Sequence, residues 1–159
     1  MTATSGSSPV TIRDAVAGDG PALTTLVRTS RAYDGRYRVL VAGQTIDDAY
    51  VRAHPVRVAA HGARPVGFAS LLVPGRGGAG DAELDFMFVA DGEQGTGLGR
   101  LLSEDLRRHA AERGIRRIHI VAHPPAEAFY RRIGATRVGA VPPSGRVTWS
   151  RPLLVLPVA

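Results

Sequence analysis

The chain contains neither cysteine nor lysine. The first absence excludes a disulfide framework, a thiolate metal site and a cysteine nucleophile together. The second makes all 20 basic residues arginine, which excludes Schiff-base chemistry and the phosphate loops that need a lysine after their second glycine. No apolar run approaches the roughly 20 residues of a membrane helix. The 5 histidines form no H-E-x-x-H motif, so no metal is expected.

What remains is an ordinary globular composition, 44% hydrophobic and 21% charged over 159 residues, long enough for one domain with a sizeable core. Residues 1–8, "MTATSGSS", are small and polar and read as a disordered tail, with a single domain over 9–159. They lack the basic start and apolar core of a signal peptide, so a cytoplasmic location is expected. The net charge of +6 is carried by arginines scattered in ones and twos, without a recognition motif. Neither nucleic acid nor membrane is therefore expected as a partner, and a small phosphate-bearing ligand would be served equally well by such charge.

Alternation predicts a first strand over Val10 to Val16 and a helix capped by Asp19, with Pro21 in its first turn. A second helix is expected around Ile46 to Ala53, after a poorly defined stretch. A hairpin pairs Val56 to Ala60 with Val66 to Val73, and no function is assigned to the loop from Pro74 to Gly80. Next comes "AELDFMFV" (82–89), a strand whose alternation puts Leu84, Phe86 and Phe88 on one face and Glu83, Asp85, Met87 and Val89 on the other. A helix carrying Leu98, Leu101, Leu102, Leu106 and Ala110, a strand "IRRIHIVA", a short helix "PPAEAFYRRIG" and two closing strands complete the chain. Pro152 suggests a break or an edge position in the last strand. The apolar "LLVLPVA" leaves pairing between subunits, and thus a homodimer, open. The order is β-α-α-β-β-β-α-β-α-β-β, a mixed α/β domain.

Between the fourth strand and the third helix stands "DGEQGTGLGR" (91–100), with Gly95, Gly97 and Gly99 at alternate positions. Strand, glycine turn and helix start together bring backbone amides toward something anionic. The spacing is not G-x-G-x-x-G, and the turn comes late in the chain, which disfavours a dinucleotide fold. A cradle for a pyrophosphate, without metal or lysine, remains.

The segment Gln94 to Gly99, "QGTGLG", resembles the R/Q-x-x-G-x-G/A signature of the GCN5-related N-acetyltransferases (GNAT). The strand before it, the helix after it and "AFYRRIGA" about 30 residues on match as well, so the resemblance covers roughly residues 9 to 156. It implies acetyl-CoA as co-substrate, with the fourth and fifth strands splayed around the cofactor. Gln94, Gly95, Thr96, Gly97, Leu98, Gly99 and Arg100 would hold its pyrophosphate, and the backbone of Met87, Phe88 and Val89 its pantetheine arm. It further implies Glu83 as the base toward an amine acceptor, with Asp85 and His123 as other candidates, and Tyr130 as the group that meets the departing thiolate. Pro125 stands where many members have asparagine, which removes one usual contact to the cofactor's arm. Acceptor contacts fall on the first two helices, their linker and the C-terminal strands, where Tyr33, Tyr37 and Trp149, with Arg36 and Tyr50, would suit a small amine bearing an acidic group. A non-catalytic acyl-CoA-binding module on the same fold is the alternative.

Overall fold

The computed structural model describes residues 9–159, so the expected tail at 1–8 lies outside the described residues. The elements are β1 (Val10–Asp14), α1 (Gly20–Arg28), α2 (Asp48–Ala53), β2 (Val56–His61), β3 (Arg64–Leu72), β4 (Asp81–Val89), α3 (Leu98–Glu112), β5 (Arg117–Val121), α4 (Glu127–Arg132), β6 (Thr136–Val141) and β7 (Arg151–Pro157). The poorly defined stretch between α1 and α2 is two 3-10 turns, Arg31–Tyr33 and Gly35–Leu40. No helix among the described residues is long and apolar enough to cross a membrane.

Seven strands form one sheet in the order β1-β2-β3-β4-β5-β7-β6. All neighbours are antiparallel except β4 and β5, whose parallel connection is made through α3, as a parallel pair requires. That pairing covers only Asp81 to Glu83 against Arg117 to His119. Beyond it the two strands part, while β5 goes on pairing with β7 on its other edge as far as Val121. From Leu84 onward the β5-side edge of β4 pairs with no strand among the described residues, and a wedge opens at the centre of the sheet.

Each face of the sheet carries its own core. On one face α3 buries Leu98, Leu102, Leu106 and Ala110 against Ala69, Leu71 and Ile118. A fully buried leucine such as Leu102 contributes roughly 1.5–3 kcal/mol. On the other face, Leu23 and Val27 of α1 pack with Val58, Phe68 and Phe88.

Three expectations are corrected. Asp19 does precede α1, but its side chain makes no cap bond to the helix. Its carboxylate instead accepts from both guanidinium nitrogens of Arg13, at 2.7 and 3.0 Å, and from the Val16 amide at 2.8 Å. The last strand is not at an edge, because β7 lies between β5 and β6. Pro152 fits there as the second residue of the strand, and its carbonyl accepts from the Ala122 amide. With both edges of β7 paired inside the chain, that strand is closed to pairing between subunits.

The third correction concerns β4. Ser70 of β3 pairs with Phe86 and Leu71 pairs with Leu84, so Asp85 is an extra residue without an opposite number. Such a bulge reverses the facing of everything beyond it. Leu84 packs on the α3 side together with Met87 and Val89, while Phe86 and Phe88 pack on the α1 side. Strict alternation had put Leu84 with the phenylalanines.

Candidate active site

The helix α3 starts at a glycine because only glycine takes its backbone there without strain: Gly97, the residue before the first turn, has φ +84°. No side chain among the described residues caps this end. The amides of Gln94 and Thr96 are spent within the turn, on the carbonyls of Asp91 and Glu93. Those of Gly97, Leu98, Gly99 and Arg100 are the orphan donors of a helix start, at the positive end of its dipole. Gly99 has a different reason for lacking a side chain, since a Cβ would stand 3.2 Å from the ring of Phe129. The third glycine thus lets α3 lie close to α4. The turn is tethered from outside by Glu93, which meets His61 at 3.0 Å, and by Asp91, which accepts from the Arg31 amide.

These amides open onto a cavity of about 470 Å³, within the ~300–1,000 Å³ usual for ligand sites. Nine of the ten expected cofactor residues line it: Met87, Phe88, Val89, Gln94, Gly95, Gly97, Leu98, Gly99 and Arg100. Thr96 does not, since its hydroxyl and its amide both turn to the Glu93 carbonyl. Pro125, Phe129 and Tyr130 form the wall opposite β4, and Arg132 adds a cation that sequence reasoning missed. Being one of a surface arginine pair on a short helix, it carried no distinguishing signal.

Tyr130 is 8% exposed. Burial, with a lesser contribution from Tyr33, pushes its phenol well above the ordinary tyrosine range, so the group keeps its proton and acts as a donor.

A second cavity, of about 260 Å³, lies on the α1–α2 side of the wedge. Phe88, Tyr33 and His123 line both cavities. Their rings form one stack from β4 to the end of β5, with centroids 5.2 Å apart for Phe88 and Tyr33 and 4.0 Å for Tyr33 and His123. Burial pushes the Tyr33 phenol up to about 12. His123 Nε2 lies 2.6 Å from the Ala32 carbonyl. A carbonyl only accepts, so Nε2 carries the proton and Nδ1 is left as a bare acceptor, buried with no partner among the described residues. Burial pulls this histidine below its ordinary range, with the Ala32 bond acting in the opposite sense.

The bulged Asp85 lines this second cavity, as do Tyr50 and Arg151. A directed chain of hydrogen bonds fixes the carboxylate. The Phe86 amide donates to Ser70 Oγ, Ser70 Oγ stands 2.8 Å from the Tyr50 hydroxyl, and that hydroxyl donates to Asp85 Oδ2 at 2.5 Å. Glu83 lines neither cavity. It lies where β4 and β5 are still paired, and it accepts from the Arg76 amide at 3.1 Å and faces its guanidinium at 3.4 Å. The loop from 74 to 80, given no role from sequence, thus folds over Glu83. Of the expected acceptor residues, Tyr33 lines the second cavity, whereas Tyr37 and Trp149 stand behind His123. Tyr37 meets the histidine edge-on at 4.5 Å and Trp149 at 4.9 Å, under the guanidinium of Arg36.

The model of the acetyltransferase (GNAT) family matches residues 26–135. No curated protein matches by sequence. Among solved structures, an acetyltransferase of the GNAT family from Streptococcus pneumoniae superposes with a TM-score of 0.75 at 18% identity, over 95% of this chain and 100% of the other. The ribosomal-protein-S18-alanine N-acetyltransferase of Escherichia coli gives 0.69 at 19%, over 95% of each chain. A Salmonella typhimurium structure assigned as an acetyltransferase, with its cofactor acetyl-CoA, gives 0.72 at 23%, over 96% of this chain and 95% of that one. At these identities the structural likeness speaks for the fold.

Proposed function

The chain belongs to the acetyltransferase (GNAT) family, and from that premise we propose that it moves the acetyl group of acetyl-CoA to the amine of a small acceptor by direct attack in a ternary complex. The observation that carries this reading is the row of orphan amides from Gly97 to Arg100 opening onto a cavity that continues along the unpaired edge of β4. A diphosphate suits the amides, and a pantetheine arm, with its own amide groups, suits a free strand edge. The acetyl-CoA bound by the Salmonella relative supports the same choice of donor.

In this reading the two cavities hold the two substrates, and the Phe88–Tyr33–His123 stack marks where they meet. The acceptor's ammonium is attracted to Asp85 and loses its proton there. The freed lone pair attacks the thioester carbonyl, a C–N bond forms, the C–S bond breaks with its electron pair left on sulfur, and the second proton that the nitrogen sheds to become an amide ends on the thiolate as the free thiol. Tyr130 donates a hydrogen bond to that sulfur. Because burial raises the phenol's affinity for its proton, it stabilises the developing thiolate more readily than it gives the proton up. Asp85 is preferred to Glu83 as base because it lines the acceptor cavity, while Glu83 is held by Arg76. A cytoplasmic location fits an enzyme that draws on intracellular acetyl-CoA.

The test is release of free thiol from acetyl-CoA across a panel of primary amines. Amine-dependent release supports the reading; tight binding of acetyl-CoA with no release across the panel would favour a binding module instead.

A further inference from the structure

Charged groups inside this protein come in pairs. Asp105, 5% exposed at its side chain, is held by Arg57 at 2.8 Å and by Arg108 at 2.9 Å. Asp81 is held by His119 and Arg117. The acceptor cavity departs from this pattern at Arg151, and it also presents an exposed carboxylate without an ion partner, Asp85. Asp85 takes one hydrogen bond, from the neutral Tyr50, and no described residue forms an ion pair with it. Arg151 forms none either, and its Nε is buried with no hydrogen-bond partner among the described residues.

Both residues line the same cavity of about 260 Å³, and they do so from opposite walls. Asp85 stands on the bulge of β4 where the wedge begins. Arg151 opens β7, next to the residue whose carbonyl takes the Ala122 amide at the far end of β5. An anion and a cation thus face one space without neutralising each other, and a desolvated guanidinium nitrogen with no acceptor is an unfavourable arrangement that a ligand carboxylate would relieve. Aromatic surface from Tyr33, Phe86 and Phe88 fills the wall between them. The volume is below the ~300–1,000 Å³ typical of ligand pockets, so the occupant is compact.

We propose that the acceptor is a small amino acid-like zwitterion, bound with its ammonium at Asp85 and its carboxylate at Arg151. The proposal rests on the acetyl-transfer reading above and narrows it from amines in general to amines that carry a carboxylate. An amine of the same shape without the carboxylate would leave Arg151 unsatisfied, so discrimination against it is built into the site.

The experiment offers the purified protein, with acetyl-CoA, the common L-amino acids, their amides and their decarboxylated amines, and reads release of free thiol. The expected result is at least one amino acid used with a kcat/KM roughly 100-fold above that of its own amide, the scale of one charge-assisted hydrogen-bonded contact. In Arg151→Met that ratio falls toward one, mainly through KM, while stabilisation by acetyl-CoA shows that the variant is folded. If the variant does not fold, the wild-type ratio of acid to amide decides alone. Amides or decarboxylated amines used as well as the acids would overturn the proposal. So would an unchanged ratio in Arg151→Met, or no amino acid used by a protein that acetyl-CoA still stabilises. Absence of any stabilisation by acetyl-CoA would overturn the acetyl-transfer reading itself and this proposal with it.

Discussion

The hydroxyl of Tyr50 lies 2.5 Å from Asp85 Oδ2 and 2.8 Å from Ser70 Oγ, so a helix side chain and a buried strand serine together hold one carboxylate at the smaller of the two cavities. If that carboxylate is the base, Asp85→Asn lowers kcat/KM by roughly 100-fold or more, the usual scale of general-base catalysis. Glu83→Gln, at a residue turned to Arg76, costs only a few-fold. Steady-state kinetics of the two variants separate the candidates; the reverse order would return the role to Glu83.

Tyr130→Phe removes one hydroxyl from a buried ring and leaves the cavity wall in place. Turnover is expected to fall by about 10- to 100-fold, the worth of a lost hydrogen bond to a charged group. The Kd for acetyl-CoA changes little, because the donor matters chiefly when charge develops on sulfur. Equal kcat in the variant would remove the tyrosine from the mechanism.

At Gly97 a Cβ would meet no atom within 4 Å, so any penalty in Gly97→Ala comes from its φ of +84° and not from crowding. The expected loss is about 1–2 kcal/mol of stability, and less in Gly97→Asn, since asparagine tolerates this region better. Urea unfolding of the free protein measures both. An alanine variant as stable as the parent would mean that the turn is built differently.

His123 and His109 are both pulled below the ordinary histidine range. Burial is the main cause at each, opposed at His123 by its bond to Ala32 and reinforced at His109 by Arg113 and Arg57. The unfolded chain, whose histidines titrate near ~6.5, then binds more protons than the folded one just below that pH. Their contribution is complete above about pH 6.5 and is lost as the pH falls toward the folded values. The melting temperature should therefore fall between about pH 6.5 and pH 5, before the depressed carboxylates of Asp14, Asp19 and Asp81 begin to protonate. His123→Gln should flatten that slope, and an unchanged slope would assign it to other groups.

The element order and the glycine turn that starts α3 were legible in the sequence because they rest on local chemistry. The glycines after Val89 announce a turn, and Leu98, Leu102 and Leu106 announce the buried face of α3. The cavity beside Asp85 was less legible because it depends on long-range register. An alternating strand gives no sign of an extra residue, so the bulge at Asp85, which sends Leu84 and Phe86 to opposite faces, emerges only from the pairing with β3. The interior place of β7 is likewise a matter of topology, and Pro152 pointed the other way. Arg151 was passed over because an arginine opening an apolar strand has no signature; what marks it is the missing partner, which only the fold reveals.

The central claim is that the start of α3 and the open edge of β4 form a site for coenzyme A. Thermal unfolding with acetyl-CoA, ATP or NAD added tests it most directly, because a ligand that binds only the folded state at about 100 times its Kd stabilises by about 2.7 kcal/mol. The account predicts a clear rise in melting temperature with acetyl-CoA and none with ATP or NAD at the same concentration. A midpoint unmoved by acetyl-CoA, or moved as far by either nucleotide, would contradict it.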